Sequence, residues 1–461
     1  MKKSATLFAA LLLLSATTLA QNPSAYFMEG TTFRSQFNPA FAPLRGYVNI
    51  PVLGGIDLNM NGNLSIDRVL YPQNGNLVTL LDCSVSAADA LSGLKTNNLL
   101  GFNTRINLIG FGAFTHNHRN FWSFDLNARV DTELSLPYSL FEFLKLGSNS
   151  SIRNIGVQAS SYLEAGFSYS FPLLDNRLYV GVRGKFLVGA ARARLRYTQF
   201  DVSLQEDRWL INAQGTLDVT AAGTKVEIEP DGKGEQIFTP GDLSFKPTKP
   251  SGYGFAVDLG ATYDILPNLQ VSLAVNDLGF ISWSKKHNIL GHSVKELEFS
   301  GVQVDHNGAQ PQPDFDINVL EFQLANAHST SKMLHATINA GLEYEVWRHK
   351  IGIGLLYTAR FQPYKNLHNI TGSVNFHPIR WFTVTGSYSV IGNRGHALGL
   401  ALNLNPNWIN FYIATDLLTA KHTPQFVPIK QNVINVTLGI GIPIGKRSHR
   451  IGSYIGDTDK R

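Results

Sequence analysis

Hydrophobic residues recur at every second position along much of this chain. In RLYVGVRGKFLVGAARARLRY, residues 177–197, Leu178, Val180, Val182, Phe186, Val188 and Ala190 share one face of an extended strand. Arg177, Arg183 and Lys185 occupy the other face, and at Gly189–Ala191 the phase flips, so that Arg192, Arg194 and Arg196 take the even positions. Successive side chains of a strand point to opposite sides. The stretch therefore predicts a strand with one apolar and one polar face. Residues 48–66 repeat the rule as one strand, with Val48, Ile50, Val52, Ile56, Leu58, Met60 and Leu64 opposite Asn49, Asp57, Asn59, Asn61 and Asn63. Residues 122–131 set Trp122, Phe124, Leu126, Ala128 and Val130 against Ser123, Asp125, Asn127, Arg129 and Asp131. Residues 157–171, 334–346, 381–390 and 434–442 follow the same alternation.

A soluble sandwich also alternates. Two features favour a barrel in lipid: the number of strands with ionic residues on the polar side, and the lack of sequence for a second covering layer. A lipid-facing strand is apolar outward and free to be polar toward the lumen. Residues 178–190, at about 3.3 Å each and tilted about 45°, rise roughly 30 Å, against an apolar band of about 25 Å. Beyond Gly189 the strand leaves lipid and the constraint on its outer face ends. The three arginines that follow then belong to an extracellular extension, either as a solvated hairpin face or as contacts for lipopolysaccharide phosphates.

The connections alternate in length. Short ones fall at 115–120, 172–176, 265–268, 348–349, 377–380 and 405–407, with longer ones between them at 67–102, 132–156, 191–251, 283–332, 361–367, 391–396 and 417–431. Outer-membrane barrels have short periplasmic turns and longer outside loops. The scheme predicts an all-β fold: a transmembrane antiparallel β-barrel of about 14 strands, with strand one leaving the periplasm near Tyr47. Trp122, Trp347, Trp381 and Trp408 each lie beside a short turn, where an interfacial girdle belongs.

The remaining segments divide as follows. Residues 1–20 read as a secretory signal, with Lys2 and Lys3 before an apolar core and Thr18-Leu19-Ala20 as the cleavage site. Residues 21–45 do not alternate and are expected to fold back into the lumen as a plug. Residues 46–445 form the barrel, and 446–461 a periplasmic tail. Charged residues make up only 16% of the chain and aromatics 11%, with 41 glycines, a balance suited to a barrel in lipid. Losing Lys2 and Lys3 with the leader lowers a formal charge of +5 by two, which gives no argument for a nucleic acid partner. The single cysteine, Cys83, permits no internal disulfide.

The polar face carries both signs: Arg105, Arg129, Arg183, Lys185 and Arg360 with Asp125, Asp131, Glu164, Asp258, Glu343 and Glu345. Buried charges must be paired or wet, so these read first as salt bridges holding a plug, with a selective ion path as the lesser reading. Gly252, Gly254 and Gly260 read as lumen-facing positions that leave room for that plug. On the outside loops, PYSLFEFLKL (137–146) predicts a short helix with proline at its start. Its Leu140, Phe141, Phe143 and Leu144 are candidates for a hydrophobic ligand groove, unless the helix merely packs over the rim. SVSAADALSGL (84–94) predicts a second short helix. There is no Gly-x-Ser-x-Gly elbow, no His-Glu-x-x-His and no phosphate loop. His116 and His118 without a third ligand make a weak metal signal. No enzyme activity, cofactor or metal is expected.

Fourteen strands, a segment before them and the Asn38-Pro39-Ala40 step together resemble the FadL-type family of outer-membrane transporters for hydrophobic compounds. They are also similar to its Bacteroidota relatives, which include the PorV and PorP-like barrels of type IX secretion. FNPAFAPLRGYVNIPVLGGIDLNMNGN and NDLGFISW look most like one Bacteroidota barrel family of unknown function. The resemblance covers nearly the whole mature chain. It implies an N-terminal hatch, to whose motif Asn38, Pro39 and Ala40 correspond, an extracellular apolar groove for capture, and a lateral opening for release. The chain departs from the pattern by continuing past its last strand as GKRSHRIGSYIGDTDKR, without a terminal aromatic.

The expected function is passive transport of a hydrophobic or amphipathic small molecule across the outer membrane, reached by Sec-dependent export. The alternative is a scaffold barrel that binds an exported protein or a surface assembly. An open porin-like pore is a third reading. Expected partners are outer-membrane lipid and lipopolysaccharide, a hydrophobic small molecule or an exported protein.

Overall fold

The computed structural model describes residues 23–446 apart from 66–67, 69, 74–75, 116–117, 205–208, 231–235, 246–248, 294–295, 300–320, 348–349, 363, 365, 380, 393–394 and 417–432. The predicted signal segment, His116 and residues 447–461 of the tail lie outside the described residues.

The wall is a closed antiparallel barrel of 14 strands. Strand β1 comes in two pieces, Gly46–Asn49 and Ile56–Gly62. It is followed by β2 (Asn97–Phe114), β3 (Phe121–Pro137), β4 (Ile155–Leu173), β5 (Leu178–Leu204), β6 (Gly252–Leu266) and β7 (Leu269–Trp283). The second half is β8 (Thr337–Trp347), β9 (Ile351–Arg360), β10 (Leu367–Ile379), β11 (Phe382–Ile391), β12 (Gly395–Leu404), β13 (Asn410–Thr415) and β14 (Val433–Ile444). Both pieces of β1 pair with β14, Val48 opposite Ile442 and Leu58 opposite Val436, and this closes the ring. Among the described residues no helix is long and apolar enough to cross a membrane. The strands cross instead, and closure lets their backbone groups bond to one another rather than face hydrocarbon.

Alternation sorts the two faces. On β6, Tyr253, Phe255, Val257 and Leu259 are exposed, while Gly254, Ala256, Asp258 and Gly260 point inward and are buried. Val182 and Phe186 continue the apolar surface on β5, as do Leu355 on β9 and Ile370 and Val374 on β10. Water would not tolerate so continuous an apolar belt, and a bilayer requires one. Trp347, Trp381 and Trp408 stand exposed at the end of the barrel where the connections are short.

Two phase changes in the wall shape the ionic lumen, and both are β-bulges. The register of β4 against β5 shifts between Ser161, opposite Ala191, and Tyr162, opposite Gly189. This is the flip visible in the sequence, and beyond it Arg192 is buried. A second bulge on β7 lies opposite Val257–Leu259 of β6 and turns both Asn276 and Asp277 inward. Asp277 takes a φ of 61°, a left-handed conformation that aspartate tolerates better than most residues.

The expected single strand over residues 48–66 is instead interrupted at residues 50–55. Pro51 has no N–H for the ladder, and Val52 adopts a φ of 68°. The backbone bonds regroup: Val52 N–H donates to Asn107 O at 3.0 Å, and Asn107 N–H donates to Gly55 O at 2.7 Å. Val52 and Leu53 remain exposed on the apolar side, so the loop bulges outward. Met60 and Leu64, expected toward lipid, are buried.

At the end with long connections, β5 runs on past the wall and pairs with Trp209–Ala221 as a hairpin. Asn288–Ser293 and Phe322–Ala325 extend this sheet around an apolar cluster that includes Tyr197, Phe200, Leu217 and Phe322. Three helices are relevant to the site: α1 (Pro23–Tyr26), α2 (Ala87–Leu91) and α3 (Tyr138–Leu146). Ser86 caps α2 by accepting from the Asp89 N–H, and Gly147 ends α3 at a φ of 62°, the left-handed stop that glycine allows.

The tightest core lies inside the barrel. Tyr26 meets Phe27, Phe37 and Phe41 edge-on at 5.3–5.6 Å between ring centroids, and Phe33, Leu356 and Tyr412 complete the cluster. The segment before β1 therefore packs its aromatic side chains against inward-facing wall residues. Its Asn38-Pro39 step lies so close to β5 and β6 that a Cβ at Gly181 or Gly260 would overlap it. Gly252 and Gly254 serve a different contact: a Cβ there would strike the β7 backbone, not the plug.

Gly260→Leu is therefore expected to lower stability by about 1–3 kcal/mol through overpacking. Gly184→Leu, at a position with nothing within 4 Å, should be neutral. Thermal unfolding of the two variants in detergent, followed by circular dichroism, checks this.

Candidate functional site: the plugged lumen

Inward-facing positions bring the predicted luminal charges together. Arg183 of β5 donates to Asp125 of β3 at 2.9 Å. Arg129 of β3 bridges Glu164 of β4 at 2.8 Å and Asp277 of β7 at 2.9 Å. Lys185 reaches Asp258 at 2.8 Å and Asp277 at 2.6 Å. Arg360 of β9 crosses to Asp131 of β3 at 3.1 Å. All of these groups are buried. Isolated, each would be costly; arranged as alternating signs with shared hydrogen bonds, they offset one another's desolvation.

The plug joins this network at chosen points. Arg34 pairs with Glu343 of β8 and lies over the Phe41 ring at 3.9 Å. Gln36 Oε1 accepts from Arg183 at 2.7 Å and from Arg105 at 3.2 Å. Ser24 Oγ donates to Asp416 and lies 2.6 Å from Ser387 Oγ. Phe37 O accepts from Asn276 at 2.7 Å and Asn339 at 3.1 Å. Nearer the short turns, Asn403 donates to Glu29 O at 3.1 Å. Glu345 lies beside Glu343, Glu29 and Phe27.

The structure gives Asn38, Pro39 and Ala40 distinct tasks. Asn38 Oδ1 accepts from the Ala40 N–H at 2.9 Å, closing a local turn. Its Nδ2 donates across to Ala261 O of β6 at 3.1 Å. Pro39 packs flat against Gly181 and Gly260.

The four groove candidates on α3 separate. Phe141 is buried with Leu64, Leu80, Val85 and Ala90. Leu140 and Phe143 pack against the outer sheet's cluster, and Leu144 is left exposed. The helix thus ties two apolar clusters together at the rim. On the outer sheet, Arg192 pairs with Asp218 at 2.8 Å. Ser151 donates to Asp201 at 2.6 Å and holds that exposed carboxyl below its usual range. Cys83 is exposed.

Sequence reasoning missed four luminal groups. Arg34 and Gln36 lie in the non-alternating plug. Asp416 follows the end of β13. Asp277 was hidden by its bulge, although the sequence carries a sign: outward apolar residues change from odd (Val271, Leu273, Val275) to even (Leu278, Phe280) across it.

No curated protein matches this sequence. Among solved structures, the chain is similar to the Ralstonia pickettii toluene transporter TbuX at 10% identity, with 94% of this chain and 96% of that chain covered and a TM-score of 0.43. It is similar to a Pseudomonas aeruginosa FadL homologue at 10% identity, covering 92% and 97%, with a TM-score of 0.41. The Pseudomonas putida toluene transporter TodX aligns at 8% identity over 92% and 95%, with a TM-score of 0.39. Residues 39–416 match the model of a family of unknown function, DUF5723. The chain belongs to that family.

Proposed function

We propose that this protein is an outer-membrane conduit held shut by its own N-terminal segment, which passes a hydrophobic or amphipathic small molecule passively when that segment shifts. An even-stranded antiparallel barrel with an apolar belt is the architecture of outer-membrane proteins, whose short turns face the periplasm. A barrel of about 14 strands is too wide to be filled by its wall side chains alone. The observation that carries the reading is the way this lumen is filled. The plug is not a continuation of the wall's hydrogen-bonded ladder. It is held instead by side-chain bonds, from Ser24, Arg34, Gln36 and Asn38 to the wall and from wall asparagines to its backbone at Glu29 and Phe37, and by aromatic packing against Leu356 and Tyr412. Such an attachment can be released without unzipping any strand. The apolar side chains of α3 at the outer rim suit first contact with a greasy ligand.

A second reading has its own support. The sheet built on β5 and Trp209–Ala221 has an independent apolar core. A rigid platform of that kind suits docking of an exported protein.

In a planar bilayer the full chain should give no steady current. The double variant Arg34→Ala, Gln36→Ala should give frequent openings, and deletion of residues 23–45 a persistent conductance. Steady current through the unaltered chain would overturn the plug reading. Arg129→Ala leaves Glu164 and Asp277 without their main partner and should cost about 3–5 kcal/mol of stability. Because Arg129 does not touch the plug, that variant should remain closed, a contrast measurable by pairing thermal melts with bilayer recordings.

A further inference from the structure

The outer mouth of the barrel contains a cavity of about 360 Å³, above the Arg360–Asp131 bridge. That volume falls within the range of about 300–1,000 Å³ typical of small-molecule sites. Its lining is unlike the apolar belt and unlike the charge-balanced lumen below. Arg194 and Arg196 enter it from the part of β5 beyond the bulge, and among the described residues no carboxylate lines it, the nearest on this side being Glu133, which lines the adjoining space with Leu99 and Tyr364. The carboxylate across the hairpin, Asp218, is already held by Arg192 and by Asn288 at 2.8 Å each. Arg194 Nε is buried with no hydrogen-bond partner among the described residues. Asn97, Ser135 and Asn154 bring carboxamide and hydroxyl groups to the same space. Tyr364 closes one side, reaching from the β9–β10 connection across the mouth to β4. A Cβ at Gly156 would overlap its ring. Among the described residues, Leu99 and Ile155 are the only aliphatic lining.

We infer that this vestibule is a binding site for a small, hydroxyl-rich organic anion, of the kind an acidic sugar or a sugar phosphate presents. Two guanidinium groups without a carboxylate select for negative charge, and they fit carboxylate or phosphate oxygens in fork geometry. Carboxamides both donate and accept, which matches a ring bearing several hydroxyls. The tyrosine supplies a flat face for that ring. A neutral hydrocarbon would dehydrate two guanidinium groups and several amides while giving the buried Arg194 Nε no acceptor, a penalty that disfavours it here. The inference goes beyond the conduit reading and holds whether or not anything passes the plug.

Isothermal titration of the full-length protein in detergent micelles tests it, with D-glucuronate, glucose 6-phosphate and glucose as probes. At least one of the two anions should bind, with glucose 10-fold weaker or more, and added salt should weaken the anion. Comparing the anions tells whether carboxylate or phosphate is preferred. The variant Arg194→Gln, Arg196→Gln should lose 10-fold or more of the anion affinity while binding of glucose stays unchanged. Equal binding of glucose and both anions would overturn the proposal, as would no binding of either anion, or anion affinity untouched by the double substitution. The comparison of charged and neutral probes on the unaltered chain decides the matter even if the double variant fails to fold. Bilayer silence of the plugged protein is read separately, so loss of either conclusion leaves the other standing.

Discussion

A polypeptide crossing hydrocarbon as strands must bond every backbone group to another strand, and only a closed ring does that. The join between β14 and the two pieces of β1 is the interaction on which the rest of this molecule depends. With the ring closed, the outside becomes simple: any apolar side chain of suitable size serves. The inside becomes demanding, because the ring encloses more space than its own inward side chains fill. Most of what is particular to this protein is a response to that interior.

The response uses two chemistries that are kept apart. The plug brings its own apolar core, with Tyr26 and three phenylalanines in edge-to-face contact. The wall from β3 to β7 carries ion pairs, tied to one another and touched by the plug chiefly at Gln36. Asp277 shows how the sheet is adjusted to serve this interior. One extra residue in β7 turns two consecutive side chains inward, and both are used: Asn276 holds the plug backbone, and Asp277 holds Arg129 and Lys185. The outward break at residues 50–55 is the complementary case. There the strand yields toward lipid, where Val52 and Leu53 find a compatible medium.

The wall was legible in the sequence because lipid imposes a single rule at every second residue. The flip at Gly189–Ala191 was visible for the same reason, and the proline at 137 marked the start of α3. The break in β1 was less visible, since Val52 keeps the alternation while its backbone leaves the strand. The luminal carboxylates and cations could be placed on the correct face but not paired, because pairing depends on residues hundreds of positions apart. The plug was legible only as a stretch that fails to alternate. What Asn38 and Pro39 do there could not be read from three letters. It depends on glycines at 181 and 260, whose purpose appears only when the plug lies against them.

The position of the plug in the chain also constrains the order of events. Ser24 is among the first residues of the described chain, yet its partners Ser387 and Asp416 are 363 and 392 positions away. Contacts of such separation form late, because the intervening chain must first be ordered. The plug's seating thus depends on partners near the far end of the described chain. Until those are in place its aromatic side chains have no lumen to enter and need shelter elsewhere. Closing the seam between β14 and β1 beside that segment is what commits its aromatic side chains to the inside.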